Sequence, residues 1–324
     1  MRSPSEFSAG HIPGALNIPL FSDDERAQVG ITYKQKGKEP AVLLGLEFVG
    51  PRLKSMVEQA NEYAKENKLI IHCWRGGQRS QSVAWLFQNA GLNIAVLKNG
   101  YKAYRNFIHN FFENQRFHFL VLGGRTGSAK TIILREMKEM NEQVLDLEAL
   151  AHHKGSAFGW IGEQDQETNE QFENNLFHYL YALNTEIIIW MENESRMIGR
   201  NYIPENLWAK MKISPLVNIE LNLEDRLKHL VTCYDLNDQE ALIHSFEKIV
   251  SRLGHEHAKT AIDLVKENKF KEAAQIALKY YDKCYDYNLT ETKSPEIHTL
   301  LFEGMNIAEI AKELIQLKLK HFGK

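Results

Sequence analysis

Short apolar runs and longer stretches with apolar residues three and four apart take turns along the first third of this chain. ALNIPL at 15–20, KLIIHC at 68–73 and NIAVLKNG at 93–100 read as strands, while the stretches from Pro51 to Asn67, after Ser80 and from Tyr101 onward read as helices. Val83, Trp85, Leu86 and Phe87 carry the pattern after Ser80, and Gly91 stops it. Cys73 therefore falls where a buried strand turns into a helix. This alternation is the rhythm of a parallel α/β sheet. A second α/β run opens with FHFLVLGG at 117–124 and continues through QVLDLEA at 143–149, EIIIWMENES at 186–195 and PLVNIELNL at 215–223. From about Glu224 to Tyr287 the pattern is almost wholly helical; EIHTLLFEG then reads as a last strand before a helix at 306–320. The restart of the strand pattern places a boundary near Gln115, giving domains 1–115 and 116–324, with neither an internal repeat nor a low-complexity linker.

Length and composition fit that division. At 324 residues and 44% hydrophobic content the chain has the bulk of two ordinary globular domains. No apolar run approaches the roughly 18 residues that span a bilayer, and MRSPSEF lacks the basic-then-apolar layout of a secretory signal, so a cytoplasmic protein with no membrane partner is expected. The three cysteines, Cys73, Cys233 and Cys284, are far apart and form no CxxC pair, which leaves neither a disulfide framework nor a zinc site. Charge is uneven: residues 1–115 hold 14 Lys+Arg against 10 Asp+Glu, and residues 116–324 hold 25 against 32. That permits a local basic surface around KQKGK at 34–38 and the Arg75/Arg79 loop, without identifying a nucleic-acid partner.

Two loops carry candidate chemistry. In IHCWRGGQRS, residues 71–80, a thiol at a strand end meets a glycine loop and a helix N-terminus, an arrangement that lowers a thiol pKa and makes Cys73 a nucleophile. Arg75 and Arg79 add forked donors suited to an anion with several oxygens. In FLVLGGRTGSAKT, residues 119–131, a strand, a turn and a helix follow in the order of a phosphate-binding loop. Backbone amides of Gly124, Arg125, Thr126, Gly127, Ser128 and Ala129 would cradle a di- or triphosphate, Lys130 would reach its outer oxygens and Thr131 would touch a metal ion. Ala129 stands where that motif has glycine, and its methyl is expected to crowd the phosphate. Asp146 and Glu148, or Glu192 and Glu194, are candidates to hold Mg²⁺ through water, or are ordinary strand-end acids; no residue is assigned as a direct metal ligand.

These stretches also carry a resemblance. RSPSEFSAGHIPGALNIPL at 2–20, the Cys73 loop and LKNGYKAY at 97–104 resemble a rhodanese domain, whose cysteine carries transferable sulfur. The interval from Cys73 to Arg79 is one residue longer than in sulfur-transferring members, and HCWRGGQR also satisfies the HCxxGxxR pattern of cysteine phosphatases. Together with the P-loop, with DDERAQVGITYKQKGKEPAVLLG at 23–45, DLEALAHHKGSAFG at 146–159, FENNL at 172–176, ENESRMIGRNYIPE at 192–205 and YDKCYDY at 281–287, the chain is similar to the tRNA 2-selenouridine synthase family along nearly its whole length.

The resemblance implies a rhodanese-like domain followed by a P-loop NTPase-like α/β domain with a helical C-terminal part. It implies a transferase that replaces the sulfur of wobble 2-thiouridine in tRNA with selenium from selenophosphate, through an S-geranylated intermediate made from geranyl diphosphate. Cys73, Arg75 and Arg79 would then engage selenophosphate, received from a supplier protein, or accept selenium as a perselenide. The Gly124–Thr131 loop would bind the diphosphate, with Mg²⁺ as a possible companion. Arg196 and Arg200 would bind diphosphate or the tRNA backbone, His152, His153 and Lys154 would reach the same pocket, and Trp74 would stack on the wobble base or pack between domains. In the family a strand ending in Asp-x-Arg precedes the SPSEF-like segment; here Met1 directly precedes Arg2, so that strand and its acid are expected to be missing. Two rivals stay open: a rhodanese-fold cysteine phosphatase and an inactive tRNA-binding homologue.

Overall fold

The fold is taken from a computed structural model that describes residues 1–233, 238–304 and 306–323. The chain divides into two compact units, Met1–Phe111 and Phe112–Lys324. In the first, helices α1 (Pro4–Ala9), α2 (Asp23–Lys36), α3 (Lys38–Val49) and α4 (Leu53–Tyr63) precede strand β1 (Lys68–Ile71). Helix α5 (Gln78–Asn89), strand β2 (Asn93–Val96) and helix α6 (Gly100–Asn114) follow. β1 and β2 pair in parallel, Lys68 opposite Asn93 through Ile71 opposite Val96. Ile18, Leu20, Met56, Ile71, Cys73, Val83 and Phe87 share one buried cluster.

Four expectations change here. ALNIPL forms no strand: Ile18 and Leu20 are buried on one face of an irregular segment, while Leu16, in phase with them, is exposed. A strand also needs a hydrogen-bonding neighbour, and a cavity of about 370 Å³ is lined by residues 14–18 on one hand and β1 on the other. β1 is not a buried strand either, since among the described residues β2 is its one partner strand and Ile70 is 75% exposed. Trp85, read as part of the apolar face of α5, points to solvent, while Val83 and Phe87 hold the core. The helix read from Pro51 to Asn67 ends at Tyr63, because Glu66 and Asn67 take positive φ and turn the chain into β1.

The second unit is a five-stranded parallel sheet with order β4-β5-β3-β8-β9. Strands β3 (Phe119–Gly124), β4 (Gln143–Leu145) and β5 (Ile189–Glu192) are interleaved with helices α7 (Lys130–Glu139), α8 (Leu147–Ala151) and α9 (Asn169–Tyr181). A two-residue antiparallel pair, β6 (Met197–Ile198) and β7 (Asn201–Tyr202), leads to α10 (Glu205–Lys212) and β8 (Leu216–Leu221). Helices α11 (Leu223–Cys233), α12 (Gln239–Lys248), α13 (Val250–Leu253), α14 (His255–Lys266) and α15 (Phe270–Thr290) make the helical part, and β9 (Ile297–Phe302) and α16 (Ile307–His321) close the unit. Every residue of β3 is buried, which is why a continuous apolar run encodes it. From β3 the chain crosses first to β4 and β5 on one side, then to β8 on the other. The crevice beyond its C-terminal end is where such sheets bind ligands.

Candidate functional site

In the first unit, β1 ends at Ile71 and the next residues wrap Cys73 in backbone amides. Burial pushes the Cys73 thiol up. The Ser80 hydroxyl, 3.3 Å from Sγ, and the amides of Ser80, Arg75 and Gly77 outweigh it, and the thiol titrates below its ordinary range. The loop is locked from behind. Gly76 and Gly100 both have positive φ, and a Cβ on Gly100 would stand 2.3 Å from the Cys73 carbonyl oxygen and 2.4 Å from the Gly76 nitrogen. Tyr101 N–H donates to the Cys73 carbonyl (3.0 Å) and Lys102 N–H to that of Trp74 (2.9 Å), so the start of α6 holds the loop in place. Arg75 is exposed. Arg79 donates to Glu6 at 2.7 Å, and Glu6 also pairs with Arg26. Trp74 is half-buried, tilted against Tyr101 at 5.7 Å, and the buried Arg2 guanidinium lies over both rings.

In the second unit the chain leaves β3 through Gly124–Ala129 into α7. Ala129 has φ +56°, the left-handed region that favours glycine, and it is buried with Leu122 and Ile133 in the core. The cost of alanine here lies in the backbone. Lys130 Nζ donates to the Gly124 carbonyl (2.9 Å) and Ser128 Oγ to that of Arg125 (2.6 Å). Arg125 forms a two-pronged pair with Asp286, and the buried Arg226 forms another with Asp282 while donating to the Thr126 carbonyl. Both aspartates lie on α15, which therefore braces the loop.

At the start of α7 the Thr131 hydroxyl lies 2.6 Å from Glu192 and 2.9 Å from Glu148. A hydroxyl has one proton, so one of those carboxyls must itself donate. Oxygens of Glu148, Glu192 and Glu194 lie within 4.8 Å of one another. Burial, with repulsion from neighbouring acids behind it, raises all three above the ordinary carboxylate range, Glu192 well above it and Glu194 to about 8. Glu192 Oε2 is buried with no hydrogen-bond partner among the described residues. Oxygen donors with one unsatisfied carboxylate fit a hard divalent cation. Asp146 does not join them: it caps α8 through Ala149 N–H and pairs with Arg135. A cavity of about 380 Å³ opens over this loop, lined by Gly124 and Thr126–Thr131 together with Glu148, Lys154, Glu194, His229, Cys233, Tyr281 and Tyr285.

Both stretches of the chain match known protein families. Residues 117–315 match the family described as tRNA 2-selenouridine synthase AAA domain, and residues 1–107 match the rhodanese-like domain. A tRNA 2-selenouridine synthase of Marinobacter nauticus is 32% identical, with 90% of this chain and 88% of that one covered. The one of Sulfurovum sp. is 34% identical, with 96% and 92% covered. The chain belongs to the tRNA 2-selenouridine synthase family. Among solved structures it is similar to shikimate kinase from Acinetobacter baumannii, 15% identical over 67% of this chain and 99% of that one, with a TM-score of 0.33.

Within this family frame, not every residue singled out from the sequence reaches a site. Arg196 and Arg200 do not line the phosphate-loop cavity. Both are exposed, and Arg196 pairs with Glu205 at 3.5 Å. Of the HHK stretch only Lys154 lines the cavity; it donates to the carbonyls of Ile161 and Cys233 and pairs with Glu163, while His153 is buried with its pKa lowered by burial. Sequence reasoning missed His229, Tyr281, Tyr285 and the Arg226–Asp282 brace, all at least 95 residues beyond the glycine loop. The YDKCYDY stretch that contains both tyrosines was the available signal.

Proposed function

We propose that this chain is a tRNA 2-selenouridine synthase and that its two loops serve two successive transfers. In the first, the sulfur of wobble 2-thiouridine attacks C1 of geranyl diphosphate. The C1–O bond breaks, pyrophosphate leaves with the electron pair, and the uridine N3 proton is lost. The Gly124–Ala129 amides and Lys130 hold the diphosphate; Thr131, Glu148, Glu192 and Glu194 would hold Mg²⁺, which supplies charge neutralisation to the leaving group when bound. In the second transfer, hydrogen selenide adds at C2, its proton moves to N3, and the geranylthiolate departs as a better leaving group than bare sulfide.

Cys73 releases that selenide from selenophosphate. Its thiolate takes the phosphoryl group, the P–Se bond breaks, and water then frees phosphate and restores the thiol. The longer interval from Cys73 to Arg79 suits a phosphate-bearing donor. The observation that carries the reading is the pairing, in a chain of this family, of a lowered-pKa thiol in an amide loop with a phosphate loop whose threonine hydroxyl meets two carboxyls of a three-glutamate cluster. The test is mass spectrometry of wobble nucleosides from cells with and without this chain. Both 2-selenouridine and geranylthiouridine are expected only with it; their presence at equal levels without it would overturn the proposal.

A further inference from the structure

A second, smaller cavity adjoins the phosphate-loop cavity. It holds about 70 Å³ inside the helical part, among Phe158, Leu242, Phe246, Val265, Ala273 and Ala277, all of them buried. Among the described residues its only polar lining ones are Thr126, Ser156 and Tyr281, and these three, with Leu230, also line the phosphate-loop cavity. Polarity is thus confined to the junction, and the far end is wholly apolar. On α15, Ala273, Ala277, Tyr281 and Tyr285 recur every fourth residue and so share one face, a stripe about 18 Å long at ~1.5 Å per residue. Tyr285 lies against the phosphate loop: a Cβ on Gly123 would stand 2.7 Å from its hydroxyl. One helix face therefore runs from the phosphate cradle to the apolar slot.

The lining excludes one class of ligand and favours another. A nucleoside would carry ribose hydroxyls and a polar base edge into a slot with nothing to bond them, and each unpaired group would lose its hydration uncompensated. A diphosphate ester with an apolar tail leaves nothing unsatisfied. Size bounds the tail, because the slot is about half the roughly 150 Å³ that accommodates benzene. It has room for one small branched end and not for a further five-carbon unit. The eight-carbon main chain of a geranyl group spans roughly 9 Å extended, enough to pass Tyr281 and leave only its terminal unit in the slot.

Resting on the reading of the glycine loop as a diphosphate site, we propose that the slot between α11, α12, α14 and α15 is the tail subsite that selects a ten-carbon prenyl diphosphate over shorter and longer ones. Binding of geranyl diphosphate, dimethylallyl diphosphate, farnesyl diphosphate and inorganic pyrophosphate to the full chain with Mg²⁺ tests it. The parent is expected to bind geranyl diphosphate at least tenfold more tightly than the five-carbon ester, given about 0.8 kcal/mol per buried carbon. Ala277→Leu, which fills the slot, should lose that tenfold preference while pyrophosphate binding is unchanged. Phe246→Leu, which deepens it, should move the preference toward farnesyl diphosphate, and stands as the test if Ala277→Leu does not fold. Unaltered chain-length preference in a folded slot variant that still binds pyrophosphate would overturn the proposal. If pyrophosphate does not bind the parent, or Lys130→Ala does not weaken it, the diphosphate reading fails instead.

Discussion

The cysteine loop and the glycine loop both turn backbone amides toward an anion, but they balance charge in opposite ways. Around Cys73 the protein brings its own anion: the thiolate is held by a hydroxyl and three amides, and the nearby Arg79 is occupied by Glu6. Around Lys130 three carboxyl groups stand beside the lysine and a threonine hydroxyl, and once ionised they bring charge of the wrong sign for a phosphate. The first site is complete as it stands. The second becomes favourable for a diphosphate only when a cation sits among the glutamates, so its affinity is expected to depend on metal and on pH.

Variants that damage one loop and spare the other sharpen that contrast. The largest effect on binding is expected from Lys130→Ala, which should weaken pyrophosphate binding by about 100-fold. It should leave the rate of Cys73 alkylation by iodoacetamide unchanged; an equal slowing of both would dissolve the distinction. Next comes Asp282→Ala, which strands the buried Arg226 guanidinium and should destabilise the second unit by about 3–5 kcal/mol in urea unfolding. Gly100→Ala should act only on the first unit, since its methyl has no room beside Cys73. A cost of roughly 2–4 kcal/mol and a thiol pKa returned toward its ordinary range are expected, with pyrophosphate binding intact.

The metal contrast shows in pH. Glu148, Glu192 and Glu194 have raised pKa values, so the folded chain keeps protons that the unfolded chain releases. Their contribution to stability is present below the ordinary carboxylate range and is lost as pH rises toward about 8. Bound Mg²⁺ requires the ionised forms and should reverse the loss. Mg²⁺ is therefore expected to raise the melting temperature more at pH 8 than at pH 6, and Glu192→Gln to abolish the difference; a larger rise at pH 6 would refute the site. The smallest effect is expected from Ala129→Gly, a gain of about 1 kcal/mol from relief of the left-handed alanine, with diphosphate binding equal or tighter. A loss of stability there would show that core contacts of the methyl outweigh the backbone.

How much was legible in the sequence follows from what each signal records. β3 and its glycine loop were readable because a strand buried on both faces is a continuous apolar run and the loop follows it directly. ALNIPL misled because alternation reports burial on one face, not a hydrogen-bonded neighbour. Trp85 misled because helical spacing does not say which apolar residue faces out. Asp146 and Glu148 looked alike at a strand end; only the cap on Ala149 separates a structural acid from one beside Thr131. Arg226, Asp282 and Tyr285 reach the glycine loop from far along the chain, and no local pattern announces such contacts.

Separate duties for the two loops are tested most directly by the wobble nucleosides of cells that carry the Cys73→Ala chain in place of the parent. Loss of 2-selenouridine with accumulation of geranylthiouridine is the expected result, since the diphosphate site is untouched while selenide is no longer released. Undiminished 2-selenouridine, or disappearance of both nucleosides together in a folded protein, would contradict the account.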